Sequence, residues 1–559
     1  MILGLDVGGT QTDAVLLHEG SVVAATKTVN LPDLLDTLQA ALDKTLAGVE
    51  AGQIERMVFS TTQATNAIVT DTLEPAGMMV SAGPGMDPEW FSVGPSYHVV
   101  PGCLDHRGAE VVPIDRRAVL EAAEKIRGHG IEVAGVVGKF SVRNPMHETM
   151  VGQWLDKDFS YVALGHRFSG NLNFPRRIAT TYLNAALFRI HHQFVSSLTR
   201  SLRQRGLDKA PQYLMKPDGG TVRLARTYHF PAQTAQSGPA ASVMGALALD
   251  GCRGTSLVLD IGGTTTDISL VLNGVPLCVP QGISLGPYQT NIRSLQTRSI
   301  GIGGDSQVVV DKRGNLRIGP LRRGFPMAFG GEAPTPMDAV VTLDLADVGD
   351  KTAAVAGMVQ VGEALGCDPA SAADMVLTTM ANTIVESAMA FVHHINSRPV
   401  YTIYEVIEGV RVHPESVVVL GGPAPWFAPY LERAFELPQR VPEHYQVANA
   451  VGAAAARVTS EITLQADTQR GTVVIPEAGI ESPIPRQFSL DDCYDMARQV
   501  LAQRAAEEGA QTEELTYTVT EQESFNMIRG GMRTGRNMRL RLSVVPGLIP
   551  EWKDRKNPC

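Results

Sequence analysis

Leu257-Val-Leu-Asp-Ile-Gly-Gly-Thr-Thr-Thr-Asp-Ile-Ser-Leu-Val271 carries one apolar run into a Gly-Gly-Thr turn and a second apolar run out of it, with an aspartate on each side. This pattern predicts a β-hairpin built to hold phosphate. Gly262 and Gly263 let the backbone approach a polyanion and aim N–H groups at it, and Thr264 and Thr265 add hydroxyl donors. Asp260 and Asp267 cannot face bare phosphate without a cation between them, most simply Mg²⁺.

The same design stands at the amino terminus, Leu3-Gly-Leu-Asp-Val-Gly-Gly-Thr-Gln-Thr-Asp-Ala-Val-Leu-Leu17. Asp6, Gly8, Gly9, Thr10, Thr12 and Asp13 fall at the offsets of the later copy, with Leu3, Leu5 and Leu16 around them. A structurally neutral hairpin tolerates variable flanks, so this recurrence needs a shared ligand or a shared ancestor. Two halves closing on one nucleotide satisfy both.

At 559 residues the chain is too long for one core, and two large α/β domains with an appendage are expected. A net charge of −10 argues against nucleic acid as a partner, because a phosphate backbone is held mainly by Lys and Arg. The cysteines at 103, 252, 278, 367, 493 and 559 form no CxxC pair and no zinc spacing, which suits free thiols in a reducing cytosol. The start runs straight into a strand and no apolar run approaches membrane-spanning length, so a cytoplasmic protein without a membrane partner is expected.

Residues 2–7, 13–18 and 21–29 predict a three-stranded meander, followed by a helix at Pro32–Val49. A strand then enters the hydroxyl-rich turn around Thr61, Thr62 and Asn66; capping accounts for one of these residues and less well for all three. Strands at Met78–Ser81 and Val133–Phe140, a helix at Asp115–Arg127 and a long loop over 83–102 mark a second α/β portion, in which Asp105-His106-Arg107 reads as a turn, with a substrate or metal contact as the alternative. Asn173–Leu202 predicts one long helix, whose adjacent His191 and His192 point different ways and are structural; the same holds for His393 and His394.

Ala235–Ala246 predicts a helix whose amino end faces a ligand or whose small residues pack closely, and both readings stand. Val275–Ser284 mirrors 21–29 as the third strand of the second meander. Gly303 and Gly304 form another close-approach loop. Residues 334–398 are helical, and Gly421, Gly422 and Pro423 follow a buried strand with room for a flat ring at its carboxyl end. Small residues at 447–456 predict a helix that packs closely on another, and the tail adds strands at 472–475, 515–520 and 539–545, a helix at Ser489–Glu508 and a Gly/Arg-rich link from Arg529 to Arg541.

This order of motifs resembles the actin, Hsp70 and sugar-kinase superfamily, and within it the chain looks like the hydantoinase/oxoprolinase A family. The resemblance rests on GLDVGGTQTDAVL at 4–16, STTQATNAIV at 60–69, FSVRNPMHE at 140–148, SGPAASVMGA at 237–246, LDIGGTTTDISL at 259–270, IGIGGDS at 300–306 and VANAVGAA at 447–454. It implies an α/β fold with two ribonuclease-H-like, actin-like ATPase domains around a nucleotide cleft, an α/β insertion and a small α+β appendage. The expected divisions are 1–75, 76–170, 171–255, 256–460 and 461–559.

The resemblance further implies ATP with its phosphates between the two hairpins, Mg²⁺ near Asp6 and Asp260, and adenosine against Gly421, Gly422 and Pro423. Asp260 or Asp267 would orient a nucleophile, and Thr61, Thr62 and Asn66 would contact phosphate or substrate. The implied activity is an ATP-dependent amidohydrolase or carboxylase subunit that phosphorylates the carbonyl oxygen of a small cyclic amide, lactam or ketone, with a separate B-type subunit as partner and a homo-oligomer also compatible. A nucleotide-switch ATPase and a small-molecule kinase are the alternatives, since one fold hosts many functions.

Overall fold

The computed structural model describes residues 1–9, 11–279, 281–397, 411–511 and 515–553. The chain forms two compact units, Met1–Ala240 with Cys278–Ser294 and Ala456–Glu551, and Ala241–Leu277 with Leu295–Ala455 and Trp552–Cys559.

In the first unit, Ile2–Val7, Gln11–His18 and Ser21–Val29 form the expected antiparallel meander. Arg56–Thr61 lies parallel to Ile2–Val7 on its other side, and Gln212–Met215 lies parallel to Arg56–Thr61. The resulting strand order is 3-2-1-4-5 in sequence of appearance, with Thr221–Arg223 closing the far edge. Leu3, Leu5, Met57 and Phe59 bury their side chains against Leu38 and Leu42 of the helix Leu34–Thr45 and against Phe194 and Leu198. The outer strand Ser21–Val29 alternates between half-buried and exposed, as a sheet edge does.

The α/β portion has a four-stranded parallel sheet in the order Tyr161–Leu164, Val133–Gly138, Gly77–Ser81, Ser96–Val99. Ser96–Val99 lies inside the stretch expected to be loop, because four residues among glycines and prolines give no period to read. The helix Arg116–Gly128 starts where expected, with Asp115 accepting from the backbone of Arg117 and Ala118. Asp105 accepts from Arg107 N and Ala109 N, a turn as read, while Arg107 pairs with Asp467 at 2.8 Å.

The single helix expected over Asn173–Leu202 is two, Phe174–Ala186 and Phe188–Gln204. Apolar residues continue across the junction at Leu187, but burial changes from nearly all-round to one face there, which period alone does not show.

The tail forms a five-stranded antiparallel sheet with the helix Leu490–Glu507 packed on it through Cys493, Ala497, Leu501 and Ala505. The expected Gly/Arg-rich link is a strand, Met532–Val544, paired with Tyr517–Arg529. Gly530 and Gly531, at φ 58° and 78°, make the two-residue turn between them. Arg539 and Arg541 both pair with Glu521, at 2.9 and 3.0 Å, and Arg541 also lies 4.0 Å from Glu461, so the two positive charges face two carboxylates within the sheet.

In the second unit, Thr255–Ile261 and Thr266–Leu272 form the hairpin, and Ser416–Leu420 and Gln439–Arg440 continue the sheet in parallel. The order is again 3-2-1-4-5, but the third position is split. Val275–Pro276 and Thr297–Ile300 both pair with Thr266–Leu272, in place of one strand over Val275–Ser284. Pro276 has no N–H to continue a ladder, and Cys278–Ser294 leaves to join the first unit.

The helices Pro336–Thr342, Lys351–Leu365 and Pro369–Asn396 supply much of this unit's core. Pro369–Asn396 is long and apolar enough to cross a membrane by length and composition; here Ala373, Val376, Leu377, Met380 and Ile384 pack into the core. The small-residue helix Ala448–Ala455 lies so close to Ser237–Asp250 that a Cβ on Gly452 would stand 2.0 Å from Ala241 O, and one on Gly245 2.2 Å from Ala448 O.

His191 is structural, as expected from its spacing. It is buried with Nε2 2.8 Å from Thr227 Oγ1, while His192 packs on the rings of Phe188 and Tyr228. Burial and the neighbouring His192 push the His191 imidazole down to about 4. The neutral ring is the folded form, so stability present above pH ~6.5 should fall as pH drops toward 4. Melting curves of wild type and His191→Gln between pH 7 and 4.5 should diverge, the wild type losing more at the acid end.

Candidate functional site

Asp260 and Asp267 face each other across the second hairpin as cross-strand partners. The turn between them is closed by Gly262 N donating to Thr265 O at 2.9 Å, leaving Thr264 and Thr265 exposed. Gly304 N donates to Gly262 O at 2.9 Å and Asp305 N to Gly263 O at 2.6 Å. A Cβ on Gly303 would sit 2.5 Å from Gly262 O, so only glycine lets these two loops meet. On the other side Gly421, at φ 91°, would place a Cβ 2.1 Å from Ile261 O and 2.8 Å from Asp260 Oδ1. Gly422 differs: nothing lies within 4 Å of its Cβ position. Pro423 touches the loop from the far side, its Cγ 3.3 Å from where a Cβ on Gly304 would be. The structure thus brings together Asp260, Asp267, Gly262, Gly263, Gly303, Gly304, Gly421, Gly422 and Pro423.

The sequence reading did not find the side chains that hold these groups. Ser242 Oγ donates to Asp260 Oδ2 at 2.5 Å and lies 2.9 Å from Asn449 Oδ1. Both residues sit in small-residue helices whose polar members looked incidental beside the packing pattern. Arg322 pairs with Asp305 at 2.8 Å, beside the Gly263 turn. Burial and the adjacent Asp260 carboxylate push the Asp267 carboxyl up to about 7, while Ser299 acts the other way.

That donor set fits a hard cation. Mg²⁺ keeps several waters and takes one or two carboxylates together with phosphate oxygens. A cation at Asp260 would also relieve the repulsion that holds Asp267 partly protonated. Among the described residues no group of three or more His, Cys, Asp or Glu side chains forms a self-contained metal site, so the carboxylates would need phosphate to complete the shell.

In the first hairpin Asp6 and Asp13 are likewise cross-strand partners, and Gly8 N closes the turn onto Gln11 O at 3.1 Å. Lys27 Nζ lies 2.8 Å from Asp13 Oδ1. Thr12 is fully buried and donates to Asn30 Oδ1 at 2.8 Å, while Asn30 Nδ2 donates to Gly8 O, so this threonine braces the turn. Thr10 lies outside the described residues.

The strand-turn-helix at 56–69 stands beside this hairpin. Thr62 N donates to Val7 O at 3.2 Å, and a Cβ on Gly9 would lie 3.9 Å from Asn66 Nδ2. Asn66 and Thr62 are therefore next to the Gly8-Gly9 turn. Thr61 is buried instead: its hydroxyl accepts from Gln63 N, and its backbone N–H and C=O are both bonded to Ser237 Oγ.

The family profile described as hydantoinase/oxoprolinase matches residues 177–462, and the profile of that family's N-terminal region matches residues 2–159. The caprolactamase subunit alpha of Pseudomonas jessenii is 27% identical over 384 residues, 61% of this chain and 54% of the relative. The acetophenone carboxylase gamma subunit of Aromatoleum aromaticum is 26% identical over 390 residues, 61% of this chain and 53% of the relative. The chain spans about half the length of these curated relatives. A nucleotide-free structure of acetone carboxylase aligns over 100% of this chain and 89% of its own, with a TM-score of 0.71 at 17% identity. At that identity the likeness shows a shared fold.

The two adjacent glycines give a paired test. Gly421→Ala should lower the melting temperature, at a cost of more than ~1 kcal/mol, since its φ and its neighbours both exclude a Cβ. Gly422→Ala should melt like wild type. Equal melting of the two variants would show that the turn is not built as described.

Proposed function

The chain belongs to the hydantoinase/oxoprolinase family, and from that premise we propose that it is an ATP-dependent subunit that phosphorylates the carbonyl oxygen of a small cyclic amide, lactam or ketone, for hydrolysis or for carboxylation. The observation that carries the proposal is the Asp260–Asp267 pair set against two glycine turns, Gly262-Gly263 and Gly303-Gly304, whose backbones meet with no side chain between them. Such a turn can bring N–H groups close to phosphate oxygens.

Bound Mg-ATP would supply the phosphoryl group that turns a poor carbonyl electrophile into a good one. The protein's own part is positioning and charge neutralisation. Ser242 fixes the Asp260 carboxylate and Asn449 lies against the Ser242 hydroxyl, so a cation at Asp260 would be positioned before any nucleotide arrives. Asp267, its carboxyl pushed up to about 7, would orient a nucleophile or take a proton. Gly422, with open space at its Cβ position, leaves room for the adenine ring. Thr62 and Asn66 stand where a phosphate on the Gly8-Gly9 turn or an acceptor would meet them.

A separate B-type subunit belongs to the same proposal. The relatives' names describe subunits, and this chain covers only part of each. Cytoplasmic location is proposed with it.

Asp260→Ala should abolish Mg²⁺-dependent ATP hydrolysis with little change in melting temperature, because it removes a turn carboxylate and no core side chain. Unchanged turnover would reject the phosphate-loop assignment. Gly422→Val should weaken ATP binding at least ~10-fold by calorimetry. In a hydrolysis assay with hydantoins, oxoproline and ketones, stimulation by one class names the acceptor, and a flat response across the panel counts against it.

A further inference from the structure

The first unit holds a polar cavity of about 70 Å³ whose lining includes none of the residues of the proposed nucleotide site. At roughly 10–15 Å³ per water-sized occupant, it has room for about five, the size of one small ring. The wall is built from the turn after Leu164, the Lys216–Asp218 turn, Asn291–Arg293 and Ser460–Glu461, with side chains of the tail closing it.

Its charged groups cancel. Four basic side chains, Arg167, Lys216, Arg293 and Arg504, stand against four acidic ones, Asp218, Glu461, Glu477 and Glu508. Most are already engaged with one another or with the backbone. Lys216 and Arg293 lie 3.4 and 3.9 Å from Asp218, and Arg504 lies 3.0 Å from Glu508. Glu477 accepts from Gly170 N and Thr463 N at 2.7 and 3.2 Å. A charged occupant would have to break such a pairing.

Arg167, the one charged side chain of the wall without a partner among the described residues, is exposed, and the buried groups left over are uncharged. Asn291 is 9% exposed, and neither Nδ2 nor Oδ1 has a hydrogen-bond partner among the described residues. Ser460 is 3% exposed, and its hydroxyl is in the same state. A carboxamide buried with both ends unsatisfied costs stability, and native folds seldom keep one without a purpose. Both residues border the cavity.

We propose that this cavity binds a small uncharged molecule with a cis-amide edge. The N–H and C=O of such an edge lie side by side, and the Asn291 carboxamide offers the complementary acceptor and donor, with the Ser460 hydroxyl as a third contact. An amide within a five- or six-membered ring is held cis; an open-chain secondary amide is trans, with its two groups on opposite sides. The site therefore selects lactams and cyclic ureas or imides over linear amides and over ketones. This rests on the proposed function only in making that ligand the phosphoryl acceptor.

The full chain without nucleotide is titrated by calorimetry with 2-pyrrolidinone, N-methyl-2-pyrrolidinone and cyclopentanone. The lactam should bind, and loss of its N–H or of the whole amide should weaken binding at least ~10-fold. Asn291→Leu should lose lactam binding to the same degree while melting no lower than wild type, since it removes the unsatisfied amide and keeps the volume. Asn291→Ala, which removes both the donor and the acceptor without adding charge, serves if the leucine variant does not fold. No lactam binding, equal binding of the N-methyl compound, or equal binding by the Asn291 variant would each overturn the proposal and leave a water-filled cavity. Lactam binding without stimulated ATP hydrolysis upholds this site and defeats the proposed acceptor; stimulation that is equal in wild type and Asn291→Leu upholds the activity and defeats this site.

Discussion

The second unit depends on backbone meeting backbone around Asp260. Gly303 against Gly262, and Gly421 against Ile261, leave no room for a Cβ at either contact. The same constraint continues behind the carboxylate. Ser242 reaches Asp260, and Asn449 reaches Ser242, from two helices that can approach only because Gly245 and Gly452 carry no side chain at their crossing. Side-chain removal in the packing layer thus allows side-chain placement in the polar layer. A methyl group at the crossing would force apart the two helices whose residues set the carboxylate.

The two hairpins share turn, register and sheet order, yet they differ electrically. In the first, Lys27 lies against Asp13 and supplies a fixed positive charge. In the second, Asp267 meets the Ser299 hydroxyl and the Asp260 carboxylate, and its proton is held more tightly for it. A duplicated element has therefore kept its geometry while its charge balance diverged. In the second copy a cation at Asp260 would therefore favour loss of the Asp267 proton.

Much of this was readable because the signals are local. Period-two runs and paired glycines act within a few residues, and the repeat at 3–17 and 257–271 doubled one of them. The misses have equally physical causes. Leu187 sits in an unbroken apolar run, so the break between its two helices shows only in three-dimensional burial. Arg539 and Arg541 fell in the expected Gly/Arg-rich link because Glu521, the carboxylate they share, is supplied by the neighbouring strand. Gly530-Gly531 did signal a hairpin turn, and the surrounding arginines obscured it. Ser242 and Asn449 were hidden differently: their function is a hydrogen bond across 207 positions of chain, which spacing along the chain does not encode.

The segment at 140–148 separates resemblance from chemistry. Its residues act as braces inside the first unit: Arg143 donates to Asn537 Oδ1, Asn144 to Gly108 O, and His147 pairs with Glu110. Glu148 accepts from Gly138 N, His166 N and His166 Nδ1 at 2.8, 2.7 and 2.6 Å. Burial pushes its carboxyl up, but the His166 bond and charge and the Arg177 guanidinium outweigh burial and hold it below the usual range. A buried carboxylate with that many donors fixes the carboxyl ends of two parallel strands, Val133–Gly138 and Tyr161–Leu164, to the helix Met146–Leu155. Removing one partner would leave an uncompensated charge in the interior, so the whole set must be kept together. A motif can therefore mark a family through the demands of its fold, and the chemistry has to be argued from the turns where carboxylate, glycine and open space coincide.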